Sequence, residues 1–191
     1  FYIAESAVNK GELWIGADDG KLHITRDEGK NWKDITPHKK EAQVNAIELS
    51  PHAQGRAYVA VAGYKLNDYT PYIYKTDNYG KRWKRIDEGL PEDAFVRVVR
   101  EDTEREGMLF AGTESGMFIS FDDGKHWQEL DLNLPPVAIT DMQVKGDDLV
   151  VATQGRGFWI LDDIAPLREV HKSLDGEALF QFEPVDGIRL L

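Results

Sequence analysis

The sequence predicts an all-β fold: a β-propeller segment of about four four-stranded antiparallel blades, forming an arc of a larger propeller. A short element ending in Gly-x-x-Trp occurs three times, and its glycines, Gly29, Gly80 and Gly124, are 51 and 44 residues apart (80 − 29 and 124 − 80). A repeat of about 40 to 50 residues is typical of one four-stranded blade. Between these elements apolar and polar residues alternate in short runs, as in half-buried strands, and no segment has a sustained helical period.

The strand pattern divides the chain into four blades and a tail. The blades are expected at about residues 1–37, 38–88, 89–132 and 133–165, and residues 166–191 are expected to form an exit segment. The fourth unit lacks the repeated element, because Ala165 and Arg168 stand where glycine and tryptophan are expected. Pro166 argues against a simple continuation of the sheet there. Alternating residues near 178–182 predict a closing strand, which completes this blade or closes the ring with another blade.

Composition excludes several classes of protein. The 191 residues include 23 Lys and Arg against 34 Asp and Glu, a net charge of −11, so a nucleic-acid partner is disfavoured. The 5 Trp, 7 Tyr and 8 Phe supply enough apolar surface for a folded core. The absence of Cys excludes disulfides, thiol nucleophiles and Cys-bound zinc. No apolar run approaches the ~18 residues of a membrane-spanning helix, so the chain is not expected to span a membrane.

The repeated element follows the pattern Ser/Thr-x-Asp-x-Gly-x-x-Trp, and its three copies are called the box hairpins. Their pattern residues are Thr25, Asp27, Gly29 and Trp32; Thr76, Asn78, Gly80 and Trp83; and Ser120, Asp122, Gly124 and Trp127. Hydroxyl and carboxylate oxygens can accept hydrogen bonds from the backbone of a tight turn, and glycine permits a positive φ. Asn78 can make the same turn bonds without a charge. The tryptophan is expected to return apolar surface to the core, with its ring wedged between neighbouring sheets.

These hairpins resemble the Asp-box, or BNR, repeat of sialidases, sortilin-type propellers and xyloglucanase-like glycosidases. The resemblance implies that each box lies on the hairpin between the third and fourth strands of a blade, away from the ligand face, with Asp27, Asn78 and Asp122 in structural roles. The stretch LVVATQGRGFWILDDIAPLREV at 149–170, followed by ALFQFEPVDGIRLL, resembles the last blade and exit strand of large bacterial sortilin-like BNR proteins. Those proteins have more blades and are often labelled glycosyl hydrolases. Gln154 stands where their HGRGF phrase has His.

Propeller ligands usually meet the face formed by the loops between the second and third strands and by the links between blades. This surface is called the B-to-C face. The candidate ligand-binding residues there are Asp18, Asp19, Tyr64, Lys65, Asp68, Tyr69, Glu114 and Arg156. The tyrosines of the insertion at 63–71 could stack on sugar rings; alternatively, the insertion packs over a neighbouring blade or domain. Arg156, between two glycines, could bind the carboxylate of an acidic sugar or pair with an Asp of a neighbouring blade.

Catalytic signals are weak. A glycosidase needs two carboxylates at a defined separation, and among the candidates Asp18 and Glu114, from different blades, could form such a pair. The acidic run at 101–106 is expected to be a solvated turn. The histidines, His23, His38, His52, His126 and His171, have no metal-ligand spacing. No nucleotide-phosphate motif occurs either, so neither a metal nor a cofactor is expected.

Two functions from different classes follow. The first is a non-catalytic binding module that presents its B-to-C face to a glycan or protein partner; the second is part of a glycoside hydrolase with carboxylates from both halves of the ring. A weaker alternative is an assembly factor for a membrane-protein partner. The remaining blades or domains of the same protein are expected partners. Because the chain opens with Phe1-Tyr2-Ile3 and not with Met or a leader, we expect a fragment or processed piece of an extracellular or periplasmic protein.

Overall fold

A computed structural model describes residues 2–37, 42–130 and 132–173 of the chain. Within them the strands form four antiparallel sheets, called blades 1 to 4, which confirms the predicted all-β propeller segment. Blade 1 contains β1 (Tyr2–Glu5), β2 (Leu13–Gly16), β3 (Leu22–Thr25) and β4 (Lys33–Asp34). Blade 2 contains β5 (Gln43–Leu49), β6 (Ala57–Gly63), β7 (Asp68–Thr76) and β8 (Lys84–Arg85).

The other two blades differ in strand number. Blade 3 contains β9 (Val96–Glu101), β10 (Leu109–Thr113), β11 (Met117–Ser120) and β12 (Gln128–Glu129). Blade 4 contains β13 (Ile139–Lys145), β14 (Asp148–Thr153) and β15 (Phe158–Leu161), so its described part has three strands. Strand order follows chain order in every blade, and each strand pairs with its sequence neighbour. The expected strand near 178–182 lies outside the described residues.

The blades pack face to face around their first strands. β1 contacts β5, β5 contacts β9 and β9 contacts β13, so these four strands lie innermost. Every residue of β6 is buried, because blade 2 is covered on both faces. Blades 1 and 4 are each covered on one face, and this leaves Ile3, Phe158 and Ile160 exposed at the two ends. The described residues therefore form an open arc and not a closed ring.

Two box tryptophans join neighbouring blades, as expected of a wedge. The indole N–H of Trp83 donates to the carbonyl of Ile35 in blade 1 (2.8 Å), and that of Trp127 donates to the carbonyl of Ile86 in blade 2 (2.7 Å). Trp32 differs from the prediction: its ring is 41% exposed and its N–H donates to Gly29 of its own hairpin (3.1 Å). No described blade precedes blade 1, so Trp32 has no neighbouring sheet to wedge against.

The box glycines are needed for the same blade contacts. A Cβ at Gly80 would lie 2.6 Å from Ile35 Cβ, and one at Gly124 would lie 2.5 Å from Ile86 Cδ1. Both glycines also have positive φ, which disfavours any residue with a side chain. The turn and the packing between blades therefore both require glycine at these positions.

A short helix takes the place of the fourth box hairpin, although no segment of the sequence has a sustained helical period. Helix α1 spans Ala165–Ser173. Pro166 is tolerated because it lies in the first turn, where its missing N–H would have no helical partner, and Asp163 Oδ1 accepts the N–H of the first helical residue (3.2 Å). The helix docks against blade 3, where Arg105 Nη1 donates to the carbonyl of Leu167 (3.0 Å). Nine residues are too few for helical periodicity to be recognised in the sequence.

Arg168, which stands at the expected tryptophan position, joins the helix to two blades by ionic contacts. Its guanidinium donates to both oxygens of Asp102 (2.9 and 3.0 Å), to Asp147 Oδ1 (2.5 Å) and to Glu104 Oε2 (2.9 Å). It also donates to the carbonyl of Gly146 (2.8 Å). These contacts raise the pKa of Arg168 although its burial opposes the charged form. A cation thus takes over at this position the bridging role that an indole has in blades 2 and 3.

The acidic run at 101–106 is the solvated turn that the sequence predicted only in part: Thr103, Glu104 and Glu106 are exposed, but its first two residues are not. Glu101 and Asp102 are fully buried. Glu101 Oε1 accepts hydrogen bonds from the Tyr58 hydroxyl (3.2 Å) and the Gly107 N–H (3.0 Å). The sequence could not show this burial, because Tyr58 and Arg168, which bind these two carboxylates, come from blade 2 and from α1 at large sequence separation.

Arg100 connects the innermost strands of all four blades. From near the end of β9 its buried guanidinium donates to the Tyr2 hydroxyl (3.0 Å), to Asp141 Oδ1 (2.7 Å) and to the Met142 carbonyl (2.7 Å). Its Nη1 lies 3.5 Å from Glu48 Oε2. Burial raises the pKa of Glu48 to about 7, although Arg100 and the backbone N–H of Glu101 act in the opposite direction.

The Glu48 pKa predicts a pH-dependent stability. Because the folded-state pKa exceeds the usual 4.5, the folded protein holds a proton that the unfolded chain releases. The contribution of protonated Glu48 to the free energy of unfolding is fully present below about pH 4.5 and is lost as the pH rises through about 7. The charged groups that face Glu48 are Arg100, Glu101 and Asp141. We expect Glu48→Gln to remove this slope and to raise the free energy of unfolding by roughly 1 to 3 kcal/mol at about pH 8. Urea denaturation at several pH values measures both effects.

Glu129→Gln is the matched control for that change, because Glu129 is exposed on the short edge strand β12. It should leave the slope between about pH 5 and 8 unaltered. An unchanged slope in Glu48→Gln as well would contradict the assignment to Glu48.

Candidate functional site

The turns between second and third strands lie at one end of every blade, opposite the box hairpins. In blade 2 this connection is the insertion: a single-turn 3-10 helix at Tyr64–Leu66 is followed by Asn67 in the left-handed conformation (φ 61°). Asp68 holds its other end, because Oδ1 accepts the Thr70 N–H (3.2 Å) and Oδ2 accepts the Tyr72 hydroxyl (2.9 Å). The insertion is therefore an ordered turn with its own internal bonds.

The insertion packs over blade 3 and still exposes aromatic surface. The Tyr64 ring stacks on Phe95, with centroids 4.8 Å apart and planes 15° apart, and the Tyr69 ring lies 6.4 Å from the same ring. Phe95 is buried, whereas Tyr64 is 37% and Tyr69 46% exposed. The sequence left two alternatives for this loop, a ligand contact and packing over a neighbouring blade; the packing is observed, and it holds the tyrosines in fixed positions.

An ion pair lies beside these rings. Arg97, on β9, has its guanidinium carbon 5.2 Å from the Phe95 centroid and forms a salt bridge with Glu114 of the β10–β11 turn. Sequence reasoning missed Phe95 and Arg97. The sequence did contain a signal for them. They are two residues apart at the start of β9, next to the link between blades 2 and 3, and such links contribute to the B-to-C face. Tyr64, Tyr69, Phe95, Arg97 and Glu114 are together called the aromatic cluster.

Several predicted site residues lie outside the aromatic cluster. Asp18 and Asp19 are exposed in the β2–β3 turn of blade 1, where Asp19 Oδ1 accepts the Lys21 N–H (3.1 Å). Arg156 and Lys65 are also exposed. Among the described residues no hydrogen bond or ion pair joins Asp18 to Glu114, whose partner is Arg97.

A groove of about 540 Å³ adjoins the insertion on the same face. Its lining includes Thr70, Pro71, Arg85, Asp87, Glu88 and Glu92. Arg85 donates to Asp87 and to the Pro71 carbonyl, so its charge is already compensated within the groove. With Glu88 and Glu92 also in its lining, the groove is consequently acidic.

The box hairpins have a different environment at the opposite end of the blades. In the first one, the Thr25 hydroxyl accepts the Gly29 N–H (3.0 Å) and Asp27 accepts the Asn31 backbone N–H (2.9 Å) and side-chain amide (2.6 Å). These Asn31 hydrogen bonds, helped by Thr25, lower the pKa of Asp27 to about 2. Its carboxylate is engaged by the turn and is poorly suited to proton transfer at neutral pH.

The other two hairpins repeat these bonds. Gly80 and Gly124 donate to the hydroxyls of Thr76 and Ser120 (3.1 and 2.9 Å). Asn78 and Asp122 accept backbone N–H groups four residues on (both 2.9 Å). Among the residues that the structure describes, no group of three or more His, Asp or Glu side chains is placed to hold a metal ion. No described helix has the length and apolarity to cross a membrane.

Comparison with known proteins agrees with the fold. No protein-family model matches the chain. It is 24% identical over 106 residues to an oligoxyloglucan-reducing end-specific xyloglucanase of Emericella nidulans, covering 54% of this chain and 13% of the relative. It is 30% identical over 101 residues to vacuolar protein sorting/targeting protein 10 of Penicillium rubens, covering 51% and 6%. The chain thus spans about an eighth or less of these relatives' length.

Solved structures share the architecture at low sequence identity. The GH74 xyloglucanase from Xanthomonas campestris has a TM-score of 0.65 at 15% identity, covering 85% of this chain and 28% of that structure. YCF48 bound to D1 peptide has a TM-score of 0.61 at 15% identity, covering 84% and 55%. An extracellular domain of the hybrid two-component system BT3049 of B. thetaiotaomicron has a TM-score of 0.61 at 17% identity, covering 84% and 20%. The chain is a β-propeller segment with the fold seen in xyloglucanases and in YCF48.

Proposed function

We propose that this chain is a non-catalytic binding module, part of a larger propeller of the sortilin-like BNR type, and that its B-to-C face binds a glycan. The observation that carries the proposal is the aromatic insertion, whose half-exposed Tyr64 and Tyr69 are fixed over the buried Phe95. Rings held in place in advance lose little entropy on binding and offer flat apolar surface to a sugar. Asp27 and Asp122 accept hydrogen bonds within their own box hairpins, and Glu114 forms a salt bridge with Arg97, so these carboxylates are engaged in structural contacts.

Features of the arc and of its relatives support the rest of the proposal. The uncovered faces of blades 1 and 4 expose Ile3, Trp32, Phe158 and Ile160, and further blades of the same protein would cover them. One structural neighbour is an extracellular domain, and we place this protein outside the cytoplasm by that likeness. The acidic surface of this chain disfavours nucleic acid as a ligand.

A glycoside hydrolase is the second candidate function. The local similarity to two fungal proteins, one named as an oligoxyloglucan-reducing end-specific xyloglucanase and one as a probable enzyme of that kind, favours it. In that case this arc would form one wall of a cleft, and carboxylates from the other half of the ring would complete the chemistry. The structural neighbour YCF48 is described as bound to D1 peptide. Binding of a protein partner in place of a glycan is therefore a further outcome of the test.

A glycan array tests the proposal with the 191-residue chain and a Tyr64→Ala/Tyr69→Ala double variant. We expect the parent to retain neutral oligosaccharides and the double variant to bind them at least about tenfold more weakly, since each aromatic contact contributes about 1 kcal/mol. Phe158→Ala is the control, because Phe158 is an exposed aromatic residue on the end face of blade 4.

Each outcome of the array has a defined meaning. Equal binding by parent and double variant would contradict the role of the insertion, and absence of any glycan signal would contradict the glycan-binding function. Release of reducing sugar from xyloglucan by the intact protein would favour the hydrolase over the binding module.

A further inference from the structure

We propose that Arg97 and Glu114 are the polar half of a sugar site whose apolar half is Tyr64 and Tyr69, and that this site takes a neutral sugar bearing adjacent hydroxyl groups. The inference rests on the proposed glycan function and specifies its ligand. It adds Arg97, a residue that the sequence patterns did not single out, to the recognition surface.

Three separate elements contribute to the cluster. Tyr64 and Tyr69 come from the insertion of blade 2, Arg97 from β9, and Glu114 from the β10–β11 turn of blade 3. The Phe95 ring lies 4.8 Å from Tyr64, 6.4 Å from Tyr69 and 5.2 Å from the guanidinium carbon of Arg97. Apolar and polar groups are therefore adjacent on one surface, the usual composition of a small-molecule site.

The ion pair leaves hydrogen-bonding capacity for a ligand. Nε and Nη2 of Arg97 both face Glu114 Oε1. Arg97 Nη1 and Glu114 Oε2 make no other hydrogen bond within the described part of the chain, and the two side chains are 31% and 33% exposed. Guanidinium only donates and carboxylate only accepts, whereas a hydroxyl does both. One sugar hydroxyl can accept from Nη1 while its neighbour donates to Oε2, and the sugar ring lies on the tyrosines.

Charge selects a neutral sugar over an acidic one. Glu114 already compensates the charge of Arg97, so the pair offers no net attraction to a ligand carboxylate. Asp18, Asp19 and Asp68 lie on the same face as Lys65 and Arg156, so these five side chains have a net charge of −1 (2 − 3), and the whole chain carries a net charge of −11. Bringing a uronic acid to this surface would place like charges together, which disfavours binding. A neutral oligosaccharide has no such penalty.

Isothermal titration calorimetry tests the inference with a neutral xyloglucan oligosaccharide and an oligogalacturonate of the same length. We expect binding of the neutral ligand, at least about tenfold tighter than the acidic one, and a loss of about tenfold or more in both Arg97→Met and Glu114→Gln. Arg82→Met and Glu129→Gln are matched controls away from the B-to-C face; Arg82 and Glu129 are exposed. Near-ultraviolet circular dichroism checks that every variant is folded.

The outcomes separate this inference from the proposed function. Neutral-glycan binding that survives both Arg97→Met and Glu114→Gln overturns the polar half of the site but leaves the glycan function standing. Preference for the galacturonate overturns the charge argument. If the parent binds neither oligosaccharide, this inference fails, while the glycan array still decides the proposed function. Should Arg97→Met not fold, Glu114→Gln decides, because it keeps the shape of the side chain and removes the charge.

Discussion

Trp127→Ala should destabilise the chain by about 3 to 5 kcal/mol, because it opens a cavity between blades 2 and 3. The ring is 6% exposed and belongs to the main apolar core, and its N–H donates to the Ile86 carbonyl at 2.7 Å. Removing the indole also leaves that carbonyl without its donor, which adds to the lost packing. The free energy of unfolding from urea denaturation measures the effect.

Trp32→Ala is the matched control, since Trp32 occupies the same position of the box pattern but is 41% exposed. Its substitution in the 191-residue chain should cost less than half as much as that of Trp127, because only partly buried area is lost. Equal losses at the two positions would show that the tryptophans act within their own hairpins and not as wedges between blades.

Arg100→Met should destabilise the chain by roughly 2 to 4 kcal/mol at neutral pH, because it removes a cation that joins the four innermost strands. Glu48 would remain largely buried near Asp141 without a compensating charge, and the Met142 carbonyl would lose its donor. Protonation of Glu48 relieves part of this cost, so the loss should be larger at about pH 8 than at about pH 5. Thermal and urea unfolding at both pH values measure it.

The double variant Arg100→Met/Glu48→Gln tests whether the loss of stability in Arg100→Met arises from the uncompensated charge of Glu48. It should recover a large part of the stability lost in Arg100→Met, because the uncompensated carboxylate has been removed along with its partner. An additive loss in the double variant would mean that Arg100 acts through packing of its stem and not through its charge.

Two kinds of contact join the blades. The box tryptophans connect neighbouring blades near the hairpins, whereas Arg100 connects the innermost strands near the axis. At the end of the arc, Arg168 of α1 takes over from the indole. Because the B-to-C face is assembled from turns of separate blades, such contacts also fix the relative positions of Tyr64, Arg97 and Glu114. Stability of the arc and geometry of the proposed sugar site are thus coupled.

The sequence alone determined the local features of this protein. Alternation of apolar residues located the strands, and the spacing of three box hairpins predicted blades, because hairpins and half-buried strands are specified by residues close together in the chain. The insertion at 63–71 was recognised for the same reason, as a departure from a local repeat. The helix at Ala165–Ser173 was missed because nine residues carry too little periodicity.

Only the tertiary structure decided which side chains meet between blades. Tyr64 lies on Phe95 and Glu114 pairs with Arg97 across different elements, Asp18 stays apart from them, and Arg100 reaches Tyr2 from two blades away. Such contacts depend on how each sheet stacks on the next, a property that no stretch of a single blade contains. For that reason the repeat pattern could predict the scaffold, while the composition of the candidate site required the packed arrangement of several blades.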